Sequence, residues 1–199
     1  MLFRSAGDLM PHTFSTLVTN SLERFPQAIE RAASIKLLVL DVDGVLTDGS
    51  LYIGADGKEF LKTFDSLDGH GIKLLQSTGV EVAIITGRNS PMVTGRATEL
   101  GIHSVHMGVK NKLETLLTIL STLHLKLNQV GAVGDDWPDL AVLNQVGFAA
   151  CPAQAHEEIK KITHFASSKN GGQGAVREIC DLILKAQGHY ERLLAQALK

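Results

Sequence analysis

The feature that most constrains the fold is the alternation of short apolar runs with segments of helical periodicity. The apolar runs lie at residues 35–40, 80–85, 103–107, 129–133 and 146–150. The helical segments lie between them, at 69–77, 90–100, 111–123 and 138–144. Short apolar runs are typical of strands that a parallel sheet buries on both faces, and their alternation with helices indicates βαβ units. We therefore expect an α/β fold, a Rossmann-like parallel sheet flanked by helices on both faces.

One segment interrupts this alternation directly after the first apolar run. Residues 49–64 contain two short strand-like stretches around Gly54-Ala55-Asp56-Gly57, a pattern that predicts an inserted β-hairpin. We expect one domain at residues 34–188, an N-terminal extension at 1–33 and a C-terminal tail at 189–199. Within the domain, the glycine-rich stretch 169–174 is typical of a flexible loop.

Composition excludes several classes of partner. The chain of 199 residues has 19 Lys+Arg against 21 Asp+Glu, so it lacks the basic surface that nucleic acid or an anionic membrane requires. Residues 1–20 hold no continuous apolar core, and we expect no signal peptide. Two cysteines are too few for a disulfide framework. We therefore expect a cytoplasmic protein that binds neither nucleic acid nor membrane.

Acidic residues follow two of the predicted strands. Asp41 and Asp43 come after the first run, and Asp135 follows the run at 129–133. In open parallel sheets, ligands bind beyond the carboxyl ends of the strands. A lone Asp there most often forms a turn or caps a strand, but three carboxylates crowded together repel one another and require a cation. Oxygen ligands of this kind suit Mg²⁺.

Two further polar residues point to phosphoryl transfer. Thr86 follows the run at 80–85, and Lys112 lies at the start of the helical segment 111–123. An Asp carboxylate can attack phosphorus, while a second acid protonates the leaving oxygen and later activates water. A hydroxyl and an ammonium stabilise the charge on the transferring group. A receiver domain of a signalling system combines the same residue types, but its acidic pair precedes the phosphorylated Asp on a different strand.

The motifs resemble those of a known superfamily. DVDGVLTD at 41–48, IITGR at 84–88, Lys112 and GDD at 134–136 resemble the four motifs of haloacid dehalogenase phosphatases. Longer strings narrow the resemblance to the family of 3-deoxy-D-manno-octulosonate 8-phosphate phosphatases. These are FDSLDGHGIK at 64–73, GDDWPDL at 134–140 and GGQGAVREICDLIL at 171–184. The likeness covers about residues 34–188.

The resemblance implies roles for the acids. Asp41 would be the nucleophile and a Mg²⁺ ligand. Asp43 would be the general acid and base, would contact the substrate, and would ligate the metal through its main-chain carbonyl. Asp135 would be the third protein ligand. Asp136 and Asp139 would hold or cap other groups rather than bind the metal directly.

The resemblance also implies how the substrate is bound. Thr86 and Lys112 would act in catalysis, with Thr86 and Gly87 on the phosphoryl group and Lys112 neutralising the charge on it. An acid sugar phosphate also carries a carboxylate, which needs a second cation. Arg88 and Arg177 are the candidates, because Arg pairs with carboxylates in a bidentate fork.

Spacing indicates that the chain lacks the cap domain of larger relatives. Only the hairpin separates the first motif from the helix near residue 69, and Thr86 to Lys112 leaves room for one helix and one strand. An open site must exclude water in another way. In the family this is achieved by a homotetramer in which the hairpins pack together, and we expect the same self-association here.

The function implied is Mg²⁺-dependent hydrolysis of 3-deoxy-D-manno-octulosonate 8-phosphate during synthesis of lipopolysaccharide precursors. Three alternatives remain open at this point. The substrate could be a nine-carbon acid sugar phosphate of the sialate type. The chain could be a receiver-like phosphate acceptor, or a non-catalytic assembly module of the kind found fused to sugar nucleotidyltransferases.

Overall fold

A computed structural model describes residues 25–199, in which six parallel strands form a central sheet. These strands are β1 Leu37–Leu40, β4 Glu81–Ile85, β5 Ser104–His106, β6 Val130–Val133, β7 Phe148–Cys151 and β8 Phe165–Ala166. Their order is β5-β4-β1-β6-β7-β8, so β1 lies in the interior of the sheet between β4 and β6. The first five match the predicted apolar runs, and the parallel sheet is confirmed. β8 was not predicted because two residues carry no periodicity.

The inserted hairpin is confirmed as a separate antiparallel pair, β2 Tyr52–Ile53 and β3 Glu59–Leu61. The hairpin is inserted between β1 and the helix Ser66–Gln76. Between β4 and Lys112 the chain holds only one helix and β5. The expected absence of a cap domain at these two positions is therefore confirmed.

Helices cover both faces of the sheet. The first face carries Ala28–Ala32, Ser66–Gln76, Pro91–Leu100 and Ala175–Ala186, and the second carries Lys112–Leu123, Leu140–Leu143 and Glu157–Ile162. An apolar core lies on each face of the sheet, and alternate residues of β1 pack into each. Leu38 and Leu40 pack on the first face, while Leu37 and Val39 pack on the second. Side chains of successive strand residues point to opposite faces, so the apolar run fills both layers.

Side-chain caps fix where two of these helices begin. Asp65 accepts hydrogen bonds from the amides of Leu67 and Asp68 at the start of Ser66–Gln76. Asn111 accepts one from the amide of Glu114, which places Lys112 in the first turn of its helix. Such caps satisfy amides that have no partner within the helix. Lys112 is thereby positioned at the end of the helix nearest the carboxyl ends of the strands.

The glycine-rich segment is packed, and the prediction of a flexible loop is wrong. The Gly171 amide donates to Gln154 Oε1 at 2.9 Å, and Gln154 Nε2 donates to the Gly44 carbonyl at 2.6 Å. A Cβ on Gly171 would lie 1.9 Å from that same carbonyl oxygen. Glycine is therefore required because the two backbones approach closely. The segment supports the loop that follows β1.

The structure describes part of the predicted N-terminal extension and all of the predicted C-terminal tail. Residues 1–24 of the predicted extension lie outside the described residues. The helix Ala28–Ala32 packs on Ala175–Ala186, with both of its terminal alanines fully buried. The predicted tail contains a helix, Tyr190–Ala197, whose Tyr190 contacts the core. No helix within residues 25–199 has both the length and the apolar character needed to cross a membrane.

Candidate active site

The carboxyl ends of β1, β4 and β6 bring the predicted motif residues together. Asp41 and Thr86 directly follow β1 and β4, and Asp135 follows β6 after Gly134. A cavity of about 390 Å³ opens there. Its lining includes Asp41, Asp43, Thr86, Gly87, Lys112, Asp135, Asp136 and Asp139. The edge of the sheet thus gathers residues that lie up to 98 positions apart in the chain.

Lys112 links two of the acids in this cavity. Its Nζ lies 2.9 Å from Asp41 Oδ1 and 2.7 Å from Asp139 Oδ1, and its side chain is 7% exposed. The other oxygen of Asp139 accepts a hydrogen bond from the Asp135 amide at 3.1 Å. Asp139 therefore orients both the lysine and the backbone of the β6 loop, which is the holding role that the sequence led us to expect.

Burial and mutual repulsion raise the pKa of two acids at this rim. Burial, together with the charge of Asp139, raises the pKa of Asp41 to about 6, although Lys112 opposes the shift. Burial and the charges of Asp41 and Asp139 raise the pKa of Asp135 to about 7. Burial lowers the pKa of Lys112, but its two carboxylate partners outweigh that effect and raise it overall. The cluster carries more negative charge than its lysine balances.

The arrangement fits a divalent cation. Carboxylate oxygens of Asp41, Asp135 and Asp139 lie within 4.8 Å of one another. Gly44, at φ +90°, makes room for them, because a Cβ there would lie 2.0 Å from Asp135 Oδ2. All the available donors are oxygens, which suit a hard ion such as Mg²⁺. Asp139 engages Lys112 through one oxygen and the Asp135 amide through the other, so Asp41 and Asp135 are the better candidates for ligands.

A second group of charges surrounds Asp43. The Lys62 ammonium contacts Asp43 Oδ1 and lies 2.9 Å from Glu59 Oε1. Arg88 lies 3.6 Å from both carboxylates and is 44% exposed. Burial opposes ionisation of Glu59, but Lys62, Ser90 and Arg88 hold its pKa below the ordinary value.

Sequence reasoning missed Lys62 and Glu59. Glu59 lies in β3 of the hairpin and Lys62 directly follows it. The sequence of the hairpin does not show which of its side chains pack against the domain. The sequence offered one signal: Glu59 and Lys62 carry opposite charges and lie in the hairpin that follows the loop already assigned to catalysis. Arg88 was expected at the site, and the structure places it beside Asp43 but not among the residues that line the cavity.

Arg177 requires a correction. The sequence led us to expect it on the substrate, but it does not line the cavity of this chain. Its Nε lies 2.9 Å from Asp181 Oδ1, one turn along the same helix, and its amide donates to Asp68 Oδ1 at 2.8 Å. Its backbone packs over Gly71 of the neighbouring helix. Helix packing, which the local sequence does not show, sets the position of this side chain.

Comparisons with known proteins agree with this geometry. Residues 105–179 match the model of the haloacid dehalogenase-like hydrolase family. The 3-deoxy-D-manno-octulosonate 8-phosphate phosphatase of Yersinia pestis is 45% identical over 82% of this chain and 87% of its own length. The enzyme of the same name from Escherichia coli K12 is 42% identical over 85% and 90%. This chain belongs to that phosphatase family.

A solved structure of one member shows what such a fold can hold. The family's phosphatase from Moraxella catarrhalis was determined in complex with a magnesium ion, a phosphate ion and a KDO molecule. It is 39% identical to this chain, with a TM-score of 0.83 over 85% of this chain and 97% of its own. Membership of the family makes the chain a phosphomonoesterase of the haloacid dehalogenase type, as the motifs predicted.

Proposed function

We propose that this protein hydrolyses 3-deoxy-D-manno-octulosonate 8-phosphate to the free sugar acid and inorganic phosphate, with Mg²⁺ as cofactor. The observation that carries the proposal is the cavity in which Asp41, Thr86 and Lys112 meet acids suited to a divalent cation. Relatives at 41–45% identity are named for this activity, and one neighbouring structure contains magnesium, phosphate and the sugar. The reaction supplies a precursor of lipopolysaccharide.

Three residues are assigned to the metal. Asp41 and Asp135 would hold Mg²⁺ through carboxylate oxygens, and Asp43 through its main-chain carbonyl. Bound there, Mg²⁺ offsets the negative charge of the carboxylates and of the incoming phosphoryl oxygens. Burial first, and then repulsion by neighbouring carboxylates, raises the pKa of Asp41 and of Asp135, and a bound cation would oppose both effects.

In the first step, a carboxylate oxygen of Asp41 attacks phosphorus. Lys112 holds Asp41 through Oδ1, which fixes the orientation of the carboxylate and leaves its other oxygen for the attack. The bond from phosphorus to the sugar oxygen breaks, and Asp43 gives a proton to that oxygen. Thr86 and Gly87 would bind the phosphoryl oxygens as the aspartyl-phosphate forms.

In the second step, water attacks the phosphorus of the aspartyl-phosphate and Asp43 accepts its proton. The bond between Asp41 and phosphorus breaks, and inorganic phosphate leaves. Lys112 stabilises the negative charge that returns to Asp41, since its ammonium is already 2.9 Å from that carboxylate. One acid thus serves as proton donor and then as proton acceptor.

Arg88 is the residue we assign to the substrate carboxylate. It lies beside Asp43, which lines the cavity, and the exposure of its side chain leaves the guanidinium accessible to a ligand. Arginine binds a carboxylate through two parallel hydrogen bonds. Arg88 is preferred to Arg177 because Arg88 contacts Asp43, which lines the cavity, whereas Arg177 contacts Asp181 and Asp68, which do not.

Steady-state kinetics on a panel of sugar phosphates test the proposal. We expect kcat/KM for 3-deoxy-D-manno-octulosonate 8-phosphate to exceed that of hexose 6-phosphates and of a nine-carbon acid sugar phosphate, and to vanish with EDTA and return with Mg²⁺. A higher value for the nine-carbon compound would reassign the substrate. Equal values for hexose phosphates would remove the specificity altogether.

We also propose that the protein is a homotetramer assembled through its hairpins. The hairpin exposes four large apolar side chains, those of Leu51, Ile53, Phe60 and Leu61. A two-stranded hairpin is marginally stable alone, and a contiguous apolar surface favours association. Phe60→Glu should lower the mass measured by light scattering, whereas Lys58→Glu on the same hairpin should not. An unchanged mass for Phe60→Glu would exclude hairpin contacts.

The proposed place of work is the cytoplasm. Cys151 and Cys180 are both buried and unpaired, a state that a reducing compartment preserves. Fractionation of cells that produce the protein, followed by thiol titration after denaturation, should recover both free thiols in the cytoplasmic fraction. Recovery from the periplasm would overturn the assignment.

A further inference from the structure

In one arm of the hairpin the charged side chains are buried and the apolar side chains are exposed, which is the reverse of the usual pattern for a surface element. On the arm formed by residues 59–62, the Glu59 side chain is 9% exposed and that of Lys62 is 1% exposed. The apolar residues between them, Phe60 and Leu61, are 64% and 42% exposed. A strand that packs on a domain normally turns apolar residues inward. Here the two buried side chains are the charged ones.

Stability alone does not account for this arrangement. Burying an ion pair contributes little net stability, because loss of hydration offsets the attraction between the charges. The group of four charges is balanced, with Asp43 and Glu59 against Lys62 and Arg88. Within this group, the ammonium of Lys62 contacts both the carboxylate of Glu59 and the carboxylate of Asp43.

We propose that Lys62, held by Glu59, is a positioning residue that fixes the Asp43 carboxylate in the orientation needed to protonate the leaving oxygen. This inference rests on the acid–base role given to Asp43 under the proposed function. Lys62 acts through Asp43 and not on the substrate, since it is almost completely buried and does not line the cavity. Arg88 contacts Asp43 at a longer distance and from an exposed position, so it is the weaker constraint.

The consequence is that the hairpin belongs to the catalytic apparatus of its own chain. When phosphorus is transferred to Asp41, the bond to the sugar oxygen breaks and the proton of Asp43 moves to that oxygen, giving the alcohol. A misplacement of about 1 Å in such a group costs about 10²-fold in rate. The loss should depend on the leaving group, because p-nitrophenolate departs without a proton and a sugar alkoxide does not.

The test measures kcat/KM for the sugar phosphate and for p-nitrophenyl phosphate. We choose kcat/KM because it reports the steps up to departure of the leaving group. Lys62→Met should lose about 10²-fold on the sugar phosphate and stay close to wild type on p-nitrophenyl phosphate. Lys58→Met, an exposed lysine on the same hairpin, is the matched control and should change neither. Lys62→Arg, which keeps the charge, should recover part of the loss.

Two more variants make the result decisive. Asp43→Asn should show the same leaving-group selectivity, and adding Lys62→Met to it should cause no further loss. If Lys62→Met leaves a buried carboxylate that prevents folding, Glu59→Gln/Lys62→Met removes both charges and should show the same selectivity. Equal losses on both substrates, or none on the sugar phosphate, would overturn the inference while leaving the proposed function intact. An Asp43→Asn variant without selectivity would overturn both.

Discussion

Replacing Gly44 by alanine should damage the metal site through one identifiable clash. The new Cβ would lie 2.0 Å from Asp135 Oδ2 and 2.5 Å from Asp135 Cγ, whereas ordinary contact begins near 3.4 Å. The carboxylate must therefore withdraw by about 1 Å or more, a displacement that costs about 10²-fold in rate. We expect Gly44→Ala to lower kcat by about that factor and to weaken Mg²⁺ binding by about 10- to 100-fold.

Gly79 offers a matched control for the backbone strain. Its φ is +89° against +90° for Gly44, but a Cβ at Gly79 would meet no atom within 4 Å. Alanine in this region costs about 1–2 kcal/mol at either position. For a chain of this length each kcal/mol lowers Tm by about 2–4 °C, so both variants should melt about 2–8 °C below wild type. Only Gly44→Ala should change the response to Mg²⁺.

Two assays separate strain from the clash. Thermal unfolding with and without Mg²⁺ measures the stabilisation that metal binding contributes, and a Mg²⁺ titration of phosphate release measures the half-saturating concentration. We expect Gly79→Ala to retain both values and Gly44→Ala to lose most of the Mg²⁺-dependent rise in Tm. If the two variants respond alike to Mg²⁺, Asp135 is not a metal ligand held in place by Gly44.

Three further outcomes follow from the charges of the site. Burial and repulsion raise the pKa of Asp41 to about 6 and that of Asp135 to about 7, so both carboxylates take up protons as the pH falls. Calorimetry should therefore show that the affinity for Mg²⁺ drops below pH 7 and that binding releases protons. An affinity that does not change with pH would contradict this. Arg88→Ala should raise KM for the sugar acid phosphate more than for p-nitrophenyl phosphate, whereas Arg177→Ala should leave the ratio of the two KM values unchanged. Lys112→Met leaves two buried carboxylates without their shared cation and should destabilise the metal-free protein by about 3–5 kcal/mol in denaturant titrations; wild-type stability would show that the pairs are not formed.

The sequence predicted the catalytic edge of the sheet because parallel strands fix that edge. Asp41, Thr86 and Asp135 each follow a recognisable apolar run, and the carboxyl ends of such runs must lie side by side. Lys112 was predicted at the start of the helical segment 111–123, and the structure shows that Asn111 caps this start. Periodicity and chain direction place these residues at one edge, whereas their catalytic roles come from the resemblance of the motifs to the family.

The residues that sequence reasoning missed or misplaced depend on contacts between distant segments. The orientation of Arg177 is set by packing of its helix over Gly71, and Lys62 reaches Asp43 only because the hairpin folds back onto the β1 loop. Gly171 was predicted in a flexible loop, although its lack of a side chain is what allows it to pack against Gly44. No local pattern distinguishes these tertiary contacts from ordinary turns and surface charges.

Asp41 is the residue that we propose carries the phosphoryl group taken from the eight-carbon sugar acid. The direct measurement is acid quenching of the Mg²⁺-loaded enzyme within one turnover of 3-deoxy-D-manno-octulosonate 8-phosphate, followed by peptide mass spectrometry. We predict one phosphoryl group on the peptide that contains Asp41, and neither an adduct nor sugar release for a folded Asp41→Asn variant. Full-rate release of sugar without an adduct, or an adduct on another residue, would contradict the assignment of Asp41 as the nucleophile.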